Sequence, residues 1–315
     1  MRFIRKILII CLFLPLIGCV GINHSDHNYN PQNTSEYWGD ESQIEVGKPN
    51  VIVDSLGNII GTPSKILLLN AKMESHSISP ETVEVIERYI DDNPEEMKET
   101  KIRVNQFAPV GEFKRLVKNK KVKWWWRVFP GVPTTMISSF GRVLGGDHYN
   151  PYTDTINIYS DVSAVALHES GHAVDFSEHA EKGTAGVYAV GRFLIPVTLH
   201  QEHVASQEAI NYLKDQKDRD GENKAYKALY PAYGTYVGGA TGLPFANAAG
   251  AAVGHVAGFV PRHNRKKAFE AYDEAIWSDE VVTNLSDDPI NKSLLLEREE
   301  KEALLNAAFL NEVSN

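Results

Sequence analysis

The spacing of apolar residues changes several times along this chain, and each change predicts an element. "ILIICLFLPLI" at 7–17 is a continuous apolar run, and residues 20–48 are polar, rich in Asn, Ser and Asp. "VIVDSLGNIIG" places two short apolar runs around a Ser-Leu-Gly-Asn turn and predicts a hairpin, with "KILLLN" as a further strand. "SPETVEVIERYIDD" predicts a helix: Ser79 caps it, Pro80 suits the first turn, and Val83, Ile86 and Ile90 recur on one face. "KIRVNQF" reads as a strand, "PVGEFKRLVKNKK" as a short helix and "WWWRVF" as a strand. The three tryptophans suit packing on a sheet or a lipid interface at least as well as a ligand platform. In "TINIYS" Ile156 and Ile158 share one face of a strand, and Ser160 or Asp161 can cap the helix that follows over 162–176. Residues 198–213 and "LLLEREEKEALLNAAFL" near the C-terminus read as helices.

Composition adds a location. "MRFIRK" is basic, the apolar run after it is too short for a comfortable membrane span, and "LIGC" ends it. That layout resembles the export signal of a bacterial lipoprotein, which implies cleavage before Cys19 and lipidation of that residue. The expectation is a cell-envelope protein, at the outer membrane if the organism has two. The formal charge is −9, and loss of Arg2, Arg5 and Lys6 with the leader makes it more acidic. An acidic chain without a basic stripe argues against a nucleic-acid partner. Cys11 and Cys19 are the only cysteines; one leaves with the leader and the other carries lipid, so no disulfide or cysteine metal site is expected.

The expected organisation is a leader at 1–18, a flexible tether at 19–48 and an α/β portion at 49–145. A core at 146–232, a small-residue segment at 233–260 and a helical tail at 261–315 follow. The fold class is α+β, with a small sheet whose edge strand lies over the helix of 162–176.

That helix carries the chemistry. In "AVALHESGHAVDF", His168 and His172 stand one turn apart and, with Asp175, fall within about 60° on the helical wheel. Two imidazoles so placed converge on one ion, and Glu169 sits to the side, within reach of a water there. Gly171 permits close approach of a neighbour. A catalytic zinc takes three protein ligands. In "TLHQEHVASQEAINYL", Glu202, Ala205, Ala209 and Leu213 share one side, with Ser206 adjacent, so Glu202 is the preferred third ligand; Glu208, His200 and His203 are the other candidates. Asp175 is a candidate hydrogen-bond partner for a ligand imidazole.

"HESGHAVD" followed by "EHVASQEA" resembles the gluzincin metallopeptidases, in the form found in anthrax lethal factor and its relatives. The resemblance covers residues 155–213. It implies a zincin-like core, one zinc ion on His168, His172 and Glu202, and Glu169 as general base for peptide hydrolysis. It also implies a peptide or protein substrate, held in extended form along an edge strand near the metal, for which "TINIYS" is the candidate. The sequence departs from those relatives at Ile195, where they carry an oxyanion-stabilising tyrosine seven residues before the glutamate ligand. Tyr149, Tyr159, Tyr233 and Tyr236 remain candidates for that role.

Residues 234–260 hold no charge, and Gly238, Gly242, Ala246, Gly250, Gly254 and Gly258 recur at every fourth position. Such a stripe lets helices meet closely, and with "PRHNRKK" after it resembles the glycine-zipper segments of membrane-associated lipoproteins. The alternative function is therefore a non-catalytic envelope lipoprotein that uses a zincin scaffold and this stripe for membrane assembly.

Overall fold

The computed structural model describes residues 28–29, 35–38, 41–144 and 146–276. The protein is α+β and, among the described residues, mostly helical with one mixed sheet. The strands are β1 (Asn28–Tyr29), β2 (Ile44–Val46), β3 (Lys101–Val104), β4 (His148–Asn150) and β5 (Thr155–Ile158), in the order β1-β2-β3-β5-β4. The β2–β3 and β3–β5 pairs are parallel, and the two outer pairs antiparallel. The longer helices are α1 (Val51–Ile60), α2 (Pro80–Asp92), α3 (Pro109–Lys118), α4 (Ser163–Glu181) and α5 (Ala185–Gly191). They continue with α6 (Ile195–Asp215), α7 (Arg219–Gly239) and α8 (Ala246–Ile276).

Strand alternation divides the sheet chemically. Ile44, Ile102, Val104, Ile156 and Ile158 are fully buried and join one apolar core with Ile86, Leu167 and Phe176. Lys101 and Arg103 point the other way and are neutralised: Lys101 pairs with Glu45 at 2.6 Å, and Arg103 with Glu112 at 2.8 Å. Buried charges persist only with such partners.

Several expectations are corrected here. "VIVDSLGNIIG" is helix α1, not a hairpin: the Asn50 side chain accepts from Val53 N–H at its start. Gly57 sits in mid-helix rather than in a turn, because a Cβ there would lie 2.4 Å from His76 Nε2. "KILLLN" is also helical up to Leu67 (Thr62–Leu67), with Pro63 in its first turn. "WWWRVF" forms the turn Trp124–Trp126 and a kinked helical segment, Arg127–Gly131; Pro130 has no N–H for a strand ladder. The tether does not reach residue 48, since Ile44–Val46 is a strand of the sheet and Gln43 Nε2 donates to the Met97 carbonyl at 2.8 Å. "TINIYS" is an interior strand, β5; the edge beside it is β4, whose short polar sequence His-Tyr-Asn shows no alternation. Neither Ser160 nor Asp161 caps α4, whose N-cap is Val162. Instead Asp161 reaches across to α2: its carboxylate accepts from Ser79 N–H at 3.0 Å, Ser79 Oγ at 2.6 Å and Thr82 Oγ1 at 2.8 Å. Burial opposes its ionisation, but the bonds from Lys72, Ser79 and Thr82 prevail and hold its pKa down to about 2.

The chain divides into two compact units, Met1–Phe259 and Val260–Asn315. In the second unit the described residues are helical, with Arg265 over the Phe269 ring and Lys266 paired with Glu270. Within the first, the small-residue stripe packs α8 on α7. A Cβ on Gly238 would lie 2.0 Å from the Ala246 carbonyl oxygen, one on Gly234 2.1 Å from that of Gly250, and one on Gly254 2.4 Å from that of Tyr230. Gly242, at φ +67°, lies in the turn between the two helices. Among the described residues no helix is long and apolar enough to cross a membrane. The leader, Cys19 and the predicted helix "LLLEREEKEALLNAAFL" lie outside the described residues.

Candidate metal centre

Helix α4 is buried on nearly every side, which explains why its sequence lacks a clean polar face. It packs on α2, α6 and α7. The contact with α6 is close because Gly171 faces Ala205: a Cβ at Gly171 would meet the Ala205 carbonyl oxygen at 3.1 Å. This approach carries Glu202 of α6 to the two histidines of α4.

The three side chains converge. Glu202 lies 3.2 Å from His168 Nε2 through Oε2 and 3.5 Å from His172 Nε2 through Oε1. All three donor atoms fall within 4.8 Å of one another. The imidazoles meet edge to face, with centroids 4.7 Å apart. His168 Nδ1 has Ser206 Oγ as partner at 3.2 Å. His172 is 1% exposed, and neither of its ring nitrogens has a hydrogen-bond partner.

An unpartnered buried imidazole costs about 1–3 kcal/mol, so a fold that keeps one invites a missing partner. The set of two imidazoles and one carboxylate suits a divalent ion of zinc type. Tetrahedral donors at about 2.0–2.1 Å from such an ion are roughly 3.3 Å apart. Glu202 comes within 3.2 and 3.5 Å of the two imidazoles, each through a different carboxylate oxygen, and the residues present fit the group.

Electrostatics around the cluster are strongly biased. Burial pushes His172 down to about 4, against the pull of Glu202. Burial resists ionisation of Glu202, yet His172 and His168 hold its carboxyl well below the usual range. Glu169 follows His168 on α4, is 7% exposed, and is raised to about 7 by burial, with Glu202 and Asp147 adding to the rise and His168 opposing it.

Two further groups complete the site. Arg192 lies between α5 and α6; it approaches Glu202 Oε1 to 3.6 Å and donates to the Tyr149 carbonyl of edge strand β4 at 3.1 Å. The Tyr236 hydroxyl, from α7, interacts with Glu202, whose charge, with burial and Glu169, raises its pKa far above the ordinary tyrosine value. Tyr236 is 44% exposed, so its ring opens to solvent while its hydroxyl end is enclosed. A cavity of about 320 Å³ adjoins it, lined by Ile195, Thr198, Leu199 and Asn247 among others.

The remaining candidates lie elsewhere. Glu208 accepts from Tyr89 at 3.0 Å. His200 and His203 are exposed, and His203 stands against Tyr233. Tyr149 donates to Asp154 at 2.9 Å, and Tyr159 is buried beside His76. Asp175 does not reach a clustered imidazole: it accepts from Tyr188 at 2.6 Å and faces His179, because α4 turns it toward α5. Ser206 takes the role expected of Asp175, and its position four residues after Glu202 on one helix is the signal that could have found it. Arg192 left no signal, since a loop delivers it.

Comparison of the chain with protein-family models, curated proteins and solved structures matches none of them.

Proposed function

We propose that this chain is a zinc-dependent metalloendopeptidase with a zincin-like core, anchored in a bacterial cell envelope by lipid on Cys19. The observation that carries the reading is the convergence of His168, His172 and Glu202, with His172 buried and neither of its ring nitrogens in a hydrogen bond. These three residues would hold the ion. When bound, zinc polarises a peptide carbonyl and lowers the pKa of a water.

The chain's own groups have distinct tasks. The Glu169 carboxylate takes a proton from the attacking water and returns it to the leaving amine. Tyr236 and Arg192, both against Glu202, are donors for the charge that develops on the carbonyl oxygen. Tyr236 thus stands in for the tyrosine whose place Ile195 occupies. Substrate lies extended along β4, the sheet edge from which Arg192 takes a carbonyl, and sets a side chain in the cavity beside Tyr236. The glycine stripe packs α8 on α7 inside the first unit.

The test is a peptide-library assay of the purified protein beside Glu169→Gln. The variant should keep its zinc and fold and lose hydrolysis by about 10²-fold or more. Equal activity in the two proteins, or none in either, defeats the reading.

A further inference from the structure

Residues 109–137 carry an apolar surface that the metal cluster does not use. Helix α3, the turn Trp124–Trp126, the segment Arg127–Gly131 and the helix Val132–Ser138 pack on one another. Phe113 and Val117 lie exposed one turn apart on α3. In the turn beyond, Trp124 is 63% exposed and Phe129 74%, with Trp125 and Val128 exposed between them. Trp126 instead turns inward and packs against Gly186, where a Cβ would lie 2.0 Å from its ring. One tryptophan therefore fixes the turn and two are presented to the outside. Rings this large, left in water together, mark an interaction surface.

The charge around them selects the partner. Residues 118–127 contain five cations and no acid, in a chain whose formal charge is −9. Lys121 is held by Asp154 at 3.0 Å, and Arg127 donates to the Leu116 carbonyl at 2.9 Å. Lys120 and Lys123 are exposed, and Lys123 stands 5.5 Å from the centre of the Trp125 ring. Protein interfaces are depleted in lysine, whereas tryptophan flanked by lysine is the composition of a water–lipid boundary. Cations there meet lipid phosphates.

We infer that this surface docks on an anionic lipid bilayer, with Trp124, Trp125 and Phe129 in the headgroup layer and Lys120 and Lys123 on lipid phosphates. It rests on neither the metal site nor lipidation of Cys19, and would hold the body of the protein against the membrane.

The test uses the full chain in vesicles with brominated acyl chains, read by tryptophan emission. Emission should be quenched with phosphatidylglycerol present and fall toward the phosphatidylcholine-only level in high salt or in Lys120→Glu/Lys123→Glu. Trp124→Phe/Trp125→Phe, with its fold checked by circular dichroism, should lose most of the quenching. Unquenched emission overturns the assignment and leaves the surface to a protein partner. Quenching equal in neutral lipid, or surviving the two phenylalanine substitutions, overturns it as well.

Discussion

Two helix contacts in this protein are built from small residues, and they serve different ends. Between α7 and α8, Gly234 and Gly250 bring backbones so close that a Cβ on Gly234 would lie 2.1 Å from a carbonyl oxygen. Between α4 and α6, Gly171 faces Ala205 with 3.1 Å for the same probe, and the contact encloses His168, Glu169, His172 and Glu202. The first contact joins two helices through their backbones. The second holds costly polar groups, one of which, His172, makes no hydrogen bond. A small-residue stripe therefore tells how near two helices come, and only the side chains beside it tell why. The two contacts are also linked, since Tyr236 lies between Gly234 and Gly238 on α7 and reaches Glu202.

The largest expected effect is at the second contact. His172→Leu should weaken zinc binding by more than about 100-fold, the upper end for loss of a mere outer partner. With chelator present the same variant should be more stable by about 1–2 kcal/mol, because it removes two buried, unsatisfied nitrogens. Metal analysis and urea melts measure both; a chelated variant weaker than the parent makes His172 a structural residue and erases the contrast.

Glycine substitutions sharpen it. Gly250→Ala places a methyl 2.0 Å from the Gly234 carbonyl oxygen and should cost about 3 kcal/mol. Gly171→Ala meets milder crowding, and the helix propensity of alanine returns about 1 kcal/mol, so stability should change by less than about 1 kcal/mol. Zinc affinity should still fall about tenfold, because α6 and Glu202 must shift. Equal stability losses in the two variants would show that both contacts are packing.

The smallest effect probes a polar cluster with every partner in place. Asp161 has a pKa lowered to about 2 from an ordinary 3.8, so its contribution is complete above pH 4 and is lost as pH falls through 2. Its partner Lys72 is 66% exposed, which screens the pair. Asp161→Asn should cost about 1 kcal/mol at pH 7, with the difference closing near pH 2 in denaturant melts. A pH-independent difference would assign the effect to the hydrogen bonds with Ser79 and Thr82 rather than to the charge.

Much of the candidate site was legible because it is local. His168 and His172 meet through helical periodicity alone, and Glu202, Ala205 and Ser206 announce themselves on one face of α6 by the same rule. The strands of "KIRV" and "TINI" were legible from alternation, and α2 from its proline and its apolar stripe; Ser79 holds the N-cap position, but its hydroxyl donates to Asp161 instead of capping the helix. Residues 51–67 fold as helices against the strand pattern because short apolar runs broken by glycine look alike in helix and strand until a neighbour is known. That neighbour is His76, which occupies the space a side chain at Gly57 would need.

What the sequence by itself determined is therefore the pair of imidazoles, the carboxylate between them in the chain, and the face that brings a second carboxylate. Only the tertiary structure decided that β4 is the edge, that Tyr236 and Arg192 close the site, that Asp161 bonds to Ser79 and Thr82 at the start of α2 rather than capping its own helix, and that the glycine stripe meets α7. Each of these joins segments far apart in sequence. Helical and strand periods order residues only along one element, whereas burial and hydrogen-bond satisfaction select partners among all of them.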